Sequence, residues 1–357
     1  MSAMGYDFSE QNADGVMMYY KILNENDKTC AVTAMEERHS WYGNDTITDY
    51  VGDIRIPSLA NGYRVTAIDR HAFTCCKLIT SVTIPNTITK IGYDAFCHCE
   101  GITSIDIPNS VTDLGSSAFA SCKGLTSVTI PKSITEIKDY VFEYCSGLTT
   151  VTIPNSVTKI GQSAFYICYN LKTVTIPSSV TFIGNEAFSW CTALESVTSY
   201  ITDVFETGEK AFLNCSGATL YAPAGLVSTY QATADWNRLN VEEIAGISLK
   251  LACSDCGKVT INDTFTFSNK LCEATVYDGT DNKFVFIPEE GYQLDRVLVN
   301  GLDVTRSVRN NQLTAMMLPN STMMVIFTAK NGDINGDGSM DIDDVSSLMN
   351  RILGNNP

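Results

Sequence analysis

The chain has 357 residues, 44% of them apolar and 18% charged, a composition that fits a folded protein of two or three domains and argues against disorder. Its formal net charge of −16 argues against nucleic acid and anionic membranes as partners, because both need clustered Lys and Arg. No apolar run approaches a membrane span, and the start, with Asp7 and Glu10, lacks the basic and apolar regions of an export signal. We expect a mature secreted or cell-surface form whose signal is absent from this chain.

Residues 1–57 carry aromatics at Tyr19, Tyr20, Trp41 and Tyr42 but no repeat, and are expected to form an irregular N-terminal cap. Residues 58–245 are periodic. Ile-Pro pairs fall at 84–85, 107–108, 130–131, 153–154 and 176–177, a step of 23 residues. Cys76, Cys99, Cys122, Cys145, Cys168 and Cys191 keep the step, as do Phe73, Phe96, Phe119, Phe142, Phe165 and Phe188. Three columns in one register predict a solenoid of stacked units. The first interval is longer, and Asn61-Gly62 inside it predicts a hairpin turn.

Within one unit, Leu125, Val128 and Ile130 suggest a short core strand, with Ser127 and Thr129 pointing the other way. Pro131 has no N–H, so pairing should stop there. Parallel strands are expected at 79–84, 102–107, 125–130, 148–153, 171–176 and 194–198. Ile134 and Ile137 should return to the core, and the Phe142/Cys145 pair fits a single helical or 3₁₀ turn that buries both. The segment 220–244 breaks the pattern and should close the stack.

The ladder cysteines are expected as buried, reduced thiols. Rungs of a parallel sheet lie ~4.8 Å apart, whereas a disulfide wants Cβ atoms about 3.5–4.5 Å apart. Cys253-x-x-Cys256, with only Cys272 near, is expected to be a local disulfide or simply buried.

The pattern L-x-x-V-x-I-P…I-G-x-x-A-F-x-x-C resembles the BspA-type leucine-rich repeats of surface proteins from host-associated anaerobic bacteria, over roughly residues 50–244. Lys138 and Asp69 depart from it, standing where Gly92, Gly115, Gly161 and Gly184 occur. The resemblance implies a right-handed leucine-rich-repeat solenoid that binds host or neighbouring-cell components.

Residues 246–330 alternate apolar and polar over short runs, which predicts a small all-β module. The motif Gly291-Tyr292…Val297-x-Val299-Asn300-Gly301 resembles an internalin-type B-repeat, whose role would be that of a spacer. In residues 331–357, Asp333, Asn335, Asp337, Ser339, Asp341 and Asp344 keep the ligand spacing of a calcium loop, with Gly338 at the sharp turn. Val345, Leu348, Met349, Ile352 and Leu353 follow at helical spacing. The segment resembles one half of a dockerin, which implies Ca²⁺ and a cohesin-like partner, although a full dockerin has two such loops.

The expected fold class is therefore mainly β, with a C-terminal EF-hand-like loop-helix. His39, His71 and His98 sit in no catalytic frame, so we expect no enzyme; a Cys–His pair at Cys97 or Cys99 with His98 is the nearest approach to one. The expected function is adhesin-like capture of a protein or glycan on the solenoid face. The alternative is a non-catalytic component of an extracellular polysaccharide-degrading assembly. The sheet face should present hydroxyls, from Ser127 and Thr129 and their equivalents. The residue before each ladder cysteine varies in type, so Tyr144 and Trp190, with Tyr169 just beyond Cys168, should line one edge. They either bind ligand or merely pack over the turns.

Overall fold

The computed structural model describes residues 6–34, 50–215, 217–223, 225–244, 246–261, 265–277, 281–289, 292–316 and 322–329. The chain divides into two units, Met1–Glu243 and Ile244–Pro357.

Residues 6–34 form more regular structure than the sequence suggested. β1 (Phe8–Gln11), β2 (Met17–Asn24) and β3 (Thr29–Thr33) form an antiparallel meander. Met18, Tyr20, Cys30 and Val32 are its buried side chains. The run Met17-Met18-Tyr19-Tyr20 is apolar throughout and so hides the period-2 alternation that defines a strand. Next come β4 (Gly52–Arg55), β5 (Leu59–Ala60) and β6 (Tyr63–Ile68). β5 and β6 are antiparallel across Asn61-Gly62, both with positive φ (45° and 76°), as the hairpin expectation required.

Each repeat then contributes two short strands. The first set comprises β7 (Ile79–Thr83), β9 (Ser104–Ile105), β11 (Ser127–Thr129), β13 (Thr150–Thr152), β15 (Thr173–Ile176) and β17 (Ser196–Ser199). The second set comprises β8 (Lys90–Ile91), β10 (Asp113–Leu114), β12 (Glu136–Ile137), β14 (Lys159–Ile160) and β16 (Phe182–Ile183). Strands β9 to β17 of the first set pair in parallel at the 23-residue register, Val128 facing Val151 and Val151 facing Val174. β7 pairs with β4 instead.

From β9 to β17 the strands start two residues later than predicted. Leu125 and Val128 are both buried yet three residues apart, which a continuous strand with period 2 cannot achieve. A turn intervenes, with the Leu125 N–H donating to the Cys122 carbonyl at 3.0 Å. At the other end Pro131 accepts from the Ile134 N–H at 3.0 Å, turning the chain so that Ile134 and Ile137 are buried.

The Ala-Phe segments are not helical turns as predicted. Along each, alternate N–H groups close i−3 turns, as Cys145 does on Phe142 (3.2 Å), or reach the next rung, as Phe142 does on Ala164 (2.9 Å). Switching between the two requires left-handed residues, and Tyr140 and Tyr144 have φ of 61° and 56°. The same two places recur through the stack, at Ser163 and Ile167 and at Glu186 and Trp190. The inter-rung bonds hold these non-glycine residues where an isolated chain would avoid them.

A stack of phenylalanines forms the spine. Phe73, Phe96, Phe119, Phe142, Phe165, Phe188 and Phe212 are buried, with successive centroids 5.0–5.7 Å apart. Aromatics close both ends: Tyr50 lies 4.8 Å from Phe73, and Trp236 lies 5.1 Å from Phe212. The segment 220–244 closes the stack as anticipated. β18 (Thr219–Ala222) and β19 (Asn240–Glu243) extend the first sheet. Between them lie α1 (Val227–Ala232) and a 3₁₀ turn that buries Trp236, whose Nε1 donates to the Phe205 carbonyl at 2.9 Å.

The second set of strands is interrupted once. β3, β6, β8 and β10 run in one ladder and β12, β14 and β16 in another, and no pairing joins β10 to β12. The break falls at Lys138, which stands in the glycine column. A Cβ on Gly115 would lie 2.5 Å from the Gly92 backbone, and one on Gly161 2.6 Å from Lys138. A side chain in this column therefore forces neighbouring rungs apart. The Phe119–Phe142 pair, across the same step, has the widest spacing of the stack at 5.7 Å.

The described residues of the second unit are mainly β, with one 3₁₀ turn at Thr305–Ser307. This unit contains β20 (Gly246–Ile261), β21 (Phe265–Tyr277), β22 (Asp281–Pro288), β23 (Tyr292–Val299), β24 (Leu302–Asp303), β25 (Gln312–Met316) and β26 (Thr322–Ala329). Its core includes Leu251, Val259, Phe284, Phe286, Val297, Val325 and Phe327. Asn300 and Gly301, with φ of 51° and 79°, make the turn between β23 and β24. The expected EF-hand-like loop-helix falls in 331–357, outside the described residues.

Candidate ligand-binding site

On the first sheet the outward columns are hydroxyl-bearing, Ser127, Thr150 and Thr173 in one and Thr129, Thr152 and Thr175 in the next, and all six are exposed. From β11 to β17 neither column carries a ring or a guanidinium, the groups that usually anchor a tight interface; Tyr221 of β18 continues the second column. The aromatics lie at the Ala-Phe turns. Tyr144 and Trp190 occupy the second left-handed position of their rungs, each just before a buried cysteine, Cys145 and Cys191. Tyr144, Tyr169 and Trp190 are 41%, 42% and 41% exposed, whereas every phenylalanine of the spine is buried.

Residues that were not singled out in the sequence complete this edge. The Tyr166 ring meets Tyr144 edge-on, with centroids 5.7 Å apart. Glu143 lies half-buried between the outward positions, and burial, with the charges of Asp94 and Glu186, pushes its carboxyl up to about 7. The Tyr140 hydroxyl is raised by burial and then by Asp139, Glu143 and Glu186; that of Tyr166 is raised by burial and then by Glu186 and Glu143. Rings and carboxylates from three successive rungs thus share one local field. The columns of Tyr140/Glu186 and of Glu143/Tyr166 vary in residue type as freely as the column of Tyr144 and Trp190, and that variability was the available signal.

The thiols are placed for packing. Cys99, Cys122, Cys145, Cys168 and Cys191 are fully buried, and each donates to the carbonyl of the phenylalanine on the preceding rung, at 3.0–3.3 Å. Burial raises all five thiols well above the ordinary range. Cys97 is raised likewise by burial and then by Asp94, and burial lowers the imidazole of His98. Burial thus favours the neutral thiol over the thiolate at Cys97 and Cys99.

His71 lies 3.6 Å from Asp94, while His39 is outside the described residues. Cys253 is buried, with its Sγ 3.7 Å from the Gly257 carbonyl. Among the described residues, no group of three or more His, Cys, Asp or Glu is placed to hold a metal, and no helix is long and apolar enough to cross a membrane. The calcium residues Asp333, Asn335, Asp337, Ser339, Asp341 and Asp344 lie outside the described residues.

Comparison with known proteins bears on the repeats. The family described as BspA type Leucine rich repeat region matches residues 66–195 and 159–242, in six copies. A search of curated proteins finds no match. Among solved structures, the Leucine Rich Repeat protein of T. pallidum is 23% identical, with a TM-score of 0.52 over 65% of this chain and 98% of that one. A leucine rich cell surface protein of Faecalibacterium prausnitzii is 33% identical, with a TM-score of 0.49 over 60% of this chain. The chain spans 55% of the length of that protein. A leucine-rich repeat protein of Eubacterium ventriosum is 23% identical, with a TM-score of 0.42 over 58% of this chain and 51% of that one. Residues 66–242 match the BspA-type leucine-rich repeat family, and the fold they adopt is a solenoid of stacked parallel strands like that of leucine-rich-repeat proteins.

Proposed function

We propose that the protein is a non-enzymatic, secreted or cell-surface binding protein that captures a macromolecular ligand, protein or glycan, on the turn edge of its solenoid. One observation carries the reading: Tyr144, Tyr169 and Trp190 stand exposed within three successive rungs of the turn edge, outside the buried phenylalanine spine, although Tyr93 and Phe182 are exposed on the solenoid as well. Large rings bury much area on binding at little conformational cost, and an exposed row of them on a rigid support marks a recognition surface. The BspA-type match supports a surface or extracellular location and a binding role. The buried, protonated ladder thiols support a structural use of the cysteines. An array of matrix proteins and glycans, probed with the wild-type chain and with Trp190→Ala, tests the proposal. Bound components should be lost with the variant, and retention of all of them contradicts it.

For residues 331–357 the proposal rests on sequence alone: a single calcium loop with ligands Asp333, Asn335, Asp337, Ser339, Asp341 and Asp344, ordered by Ca²⁺. The β module of residues 246–330 is proposed as a spacer.

A further inference from the structure

Three successive rungs of the turn edge combine several aromatic rings with carboxylates. The segments 139–146, 161–170 and 184–193 contain Tyr140, Tyr144, Tyr166, Tyr169 and Trp190, together with Asp139, Glu143 and Glu186, and contain no Lys or Arg. The preceding rungs differ: there Lys77 and Lys123 flank Glu100 at 3.7 and 3.1 Å and neutralise it. Lys138, beside the first of these segments in the chain, is held by Asp113 at 2.6 Å, and Lys210, on the rung that follows Glu186, makes no ion pair with it. Among the described residues neither Glu143 nor Glu186 has a cationic partner, and their mutual repulsion contributes to the raised carboxyl of Glu143.

Exposed rings beside unneutralised carboxylates favour one kind of occupant. A guanidinium or ammonium stacks on the ring face, drawn by the ring's quadrupole, and its charge is met by the carboxylate behind it. An anionic glycan or an acidic segment would be repelled by the same groups. Tyr144 and Trp190 lie two rungs apart, about 10 Å at ~4.8 Å per rung, a span that roughly three residues of extended chain cover at ~3.3 Å each. Resting on the binding role proposed above, we propose that the Tyr144–Tyr169–Trp190 edge docks an extended protein segment bearing Arg or Lys, its cations stacked on these rings and paired with Glu143 and Glu186.

The test is a fluorescence-anisotropy titration of the full chain with a short labelled peptide of alternating Arg and Gly, with the Glu-for-Arg peptide as control. Wild type should bind the first and not the second. Trp190→Ala leaves the net charge unchanged and should weaken binding about ten-fold or more, with Trp190→Phe restoring most of it. Glu143→Gln with Glu186→Gln should weaken binding similarly. With all titrations run at about pH 8.5, where Glu143 is ionised, Asp106→Asn with Glu136→Gln removes the same charge elsewhere on unit 1 and should leave binding within about two-fold. Equal losses in the two charge-matched pairs, or full binding by Trp190→Ala, overturn the inference by reducing the effect to overall acidity. If the peptide is ignored while a neutral glycan or another array component binds wild type and not Trp190→Ala, the cationic partner is wrong and the binding edge stands. If neither binds, both fall.

Discussion

The thiol of Cys145 donates to the carbonyl oxygen of Phe119, 3.1 Å away on the preceding rung, and that carbonyl also accepts the Cys122 N–H at 3.3 Å. One carbonyl thus joins its own turn to the next rung, and a small, weakly polar donor is what the gap admits. This contact explains why the column is cysteine. Cys145→Ala should cost about 1–2 kcal/mol, a weak hydrogen bond plus a small cavity, because the carbonyl keeps its backbone donor. Cys145→Val should cost more, since it overfills the gap and cannot donate. Chemical denaturation of the two variants measures the order.

The same packing predicts thiol chemistry. Labelling of the native protein should miss Cys99, Cys122, Cys145 and Cys168, which become reactive only after denaturation, because burial removes access and holds the thiols protonated. Rapid native labelling of these four would contradict the ladder.

Lys138→Gly should close the interrupted ladder. Gly115 and Gly161 donate their N–H groups to Ile91 and Ile137, at 2.8 and 2.7 Å, and a glycine at 138 restores the equivalent approach to Leu114. Slower hydrogen exchange at Thr135 and residue 138 is the expected result. The net change in stability should be small, within about 1 kcal/mol, because the variant loses the Asp113 ion pair and gains backbone freedom in the unfolded chain.

Much of this was legible in the sequence, for a physical reason. Phe142, Cys145, Val151 and Ile160 are packed side chains, and packing holds their spacing at 23 residues through the stack. The starts of the first-set strands were misjudged although the three-residue interval from Leu125 to Val128 already excluded an unbroken strand. The left-handed turns at Tyr140, Tyr144 and Trp190 left no glycine to mark them, since inter-rung hydrogen bonds supply what a glycine otherwise would. The outward placement of Tyr144, Tyr169 and Trp190 was legible because they stand where residue types vary and the core's do not. The coupling of Glu143 and Glu186 was not legible because a lone acid in a turn looks like ordinary surface until the fold brings two rungs together.

Glu143 predicts a pH dependence. Its carboxyl moves from an ordinary value of 4.5 in the unfolded chain to about 7 in the fold, chiefly through burial and then through Asp94 and Glu186. Between these values the folded state binds more protons than the unfolded one, so this group's contribution to stability falls as pH rises from about 4.5 to 7 and stays low above that. Glu143→Gln should therefore melt higher than wild type at pH 8, and the advantage should vanish at pH 5. A difference that does not change with pH would show that Glu143 titrates normally.

The calcium proposal has its own measurement. Calorimetry should give a dissociation constant in the ~10⁻⁵–10⁻³ M range for the full chain, abolished by Asp333→Ala with Asp344→Ala. The solenoid's melting should be indifferent to chelator. Unchanged calcium binding by the double variant removes the loop assignment.

The central claim is that the exposed rings of the turn edge are there to bind and not to shield the core. Replacing Tyr144, Tyr169 and Trp190 together by alanine, then measuring the melting temperature and the binding of whichever array component wild type captures, tests it most directly. The account predicts lost binding with an unchanged melting temperature, because all three rings are more than 40% exposed and the spine beneath them is complete without them. Retained binding with a lowered melting temperature would show that the rings only cover the turns, and would contradict it.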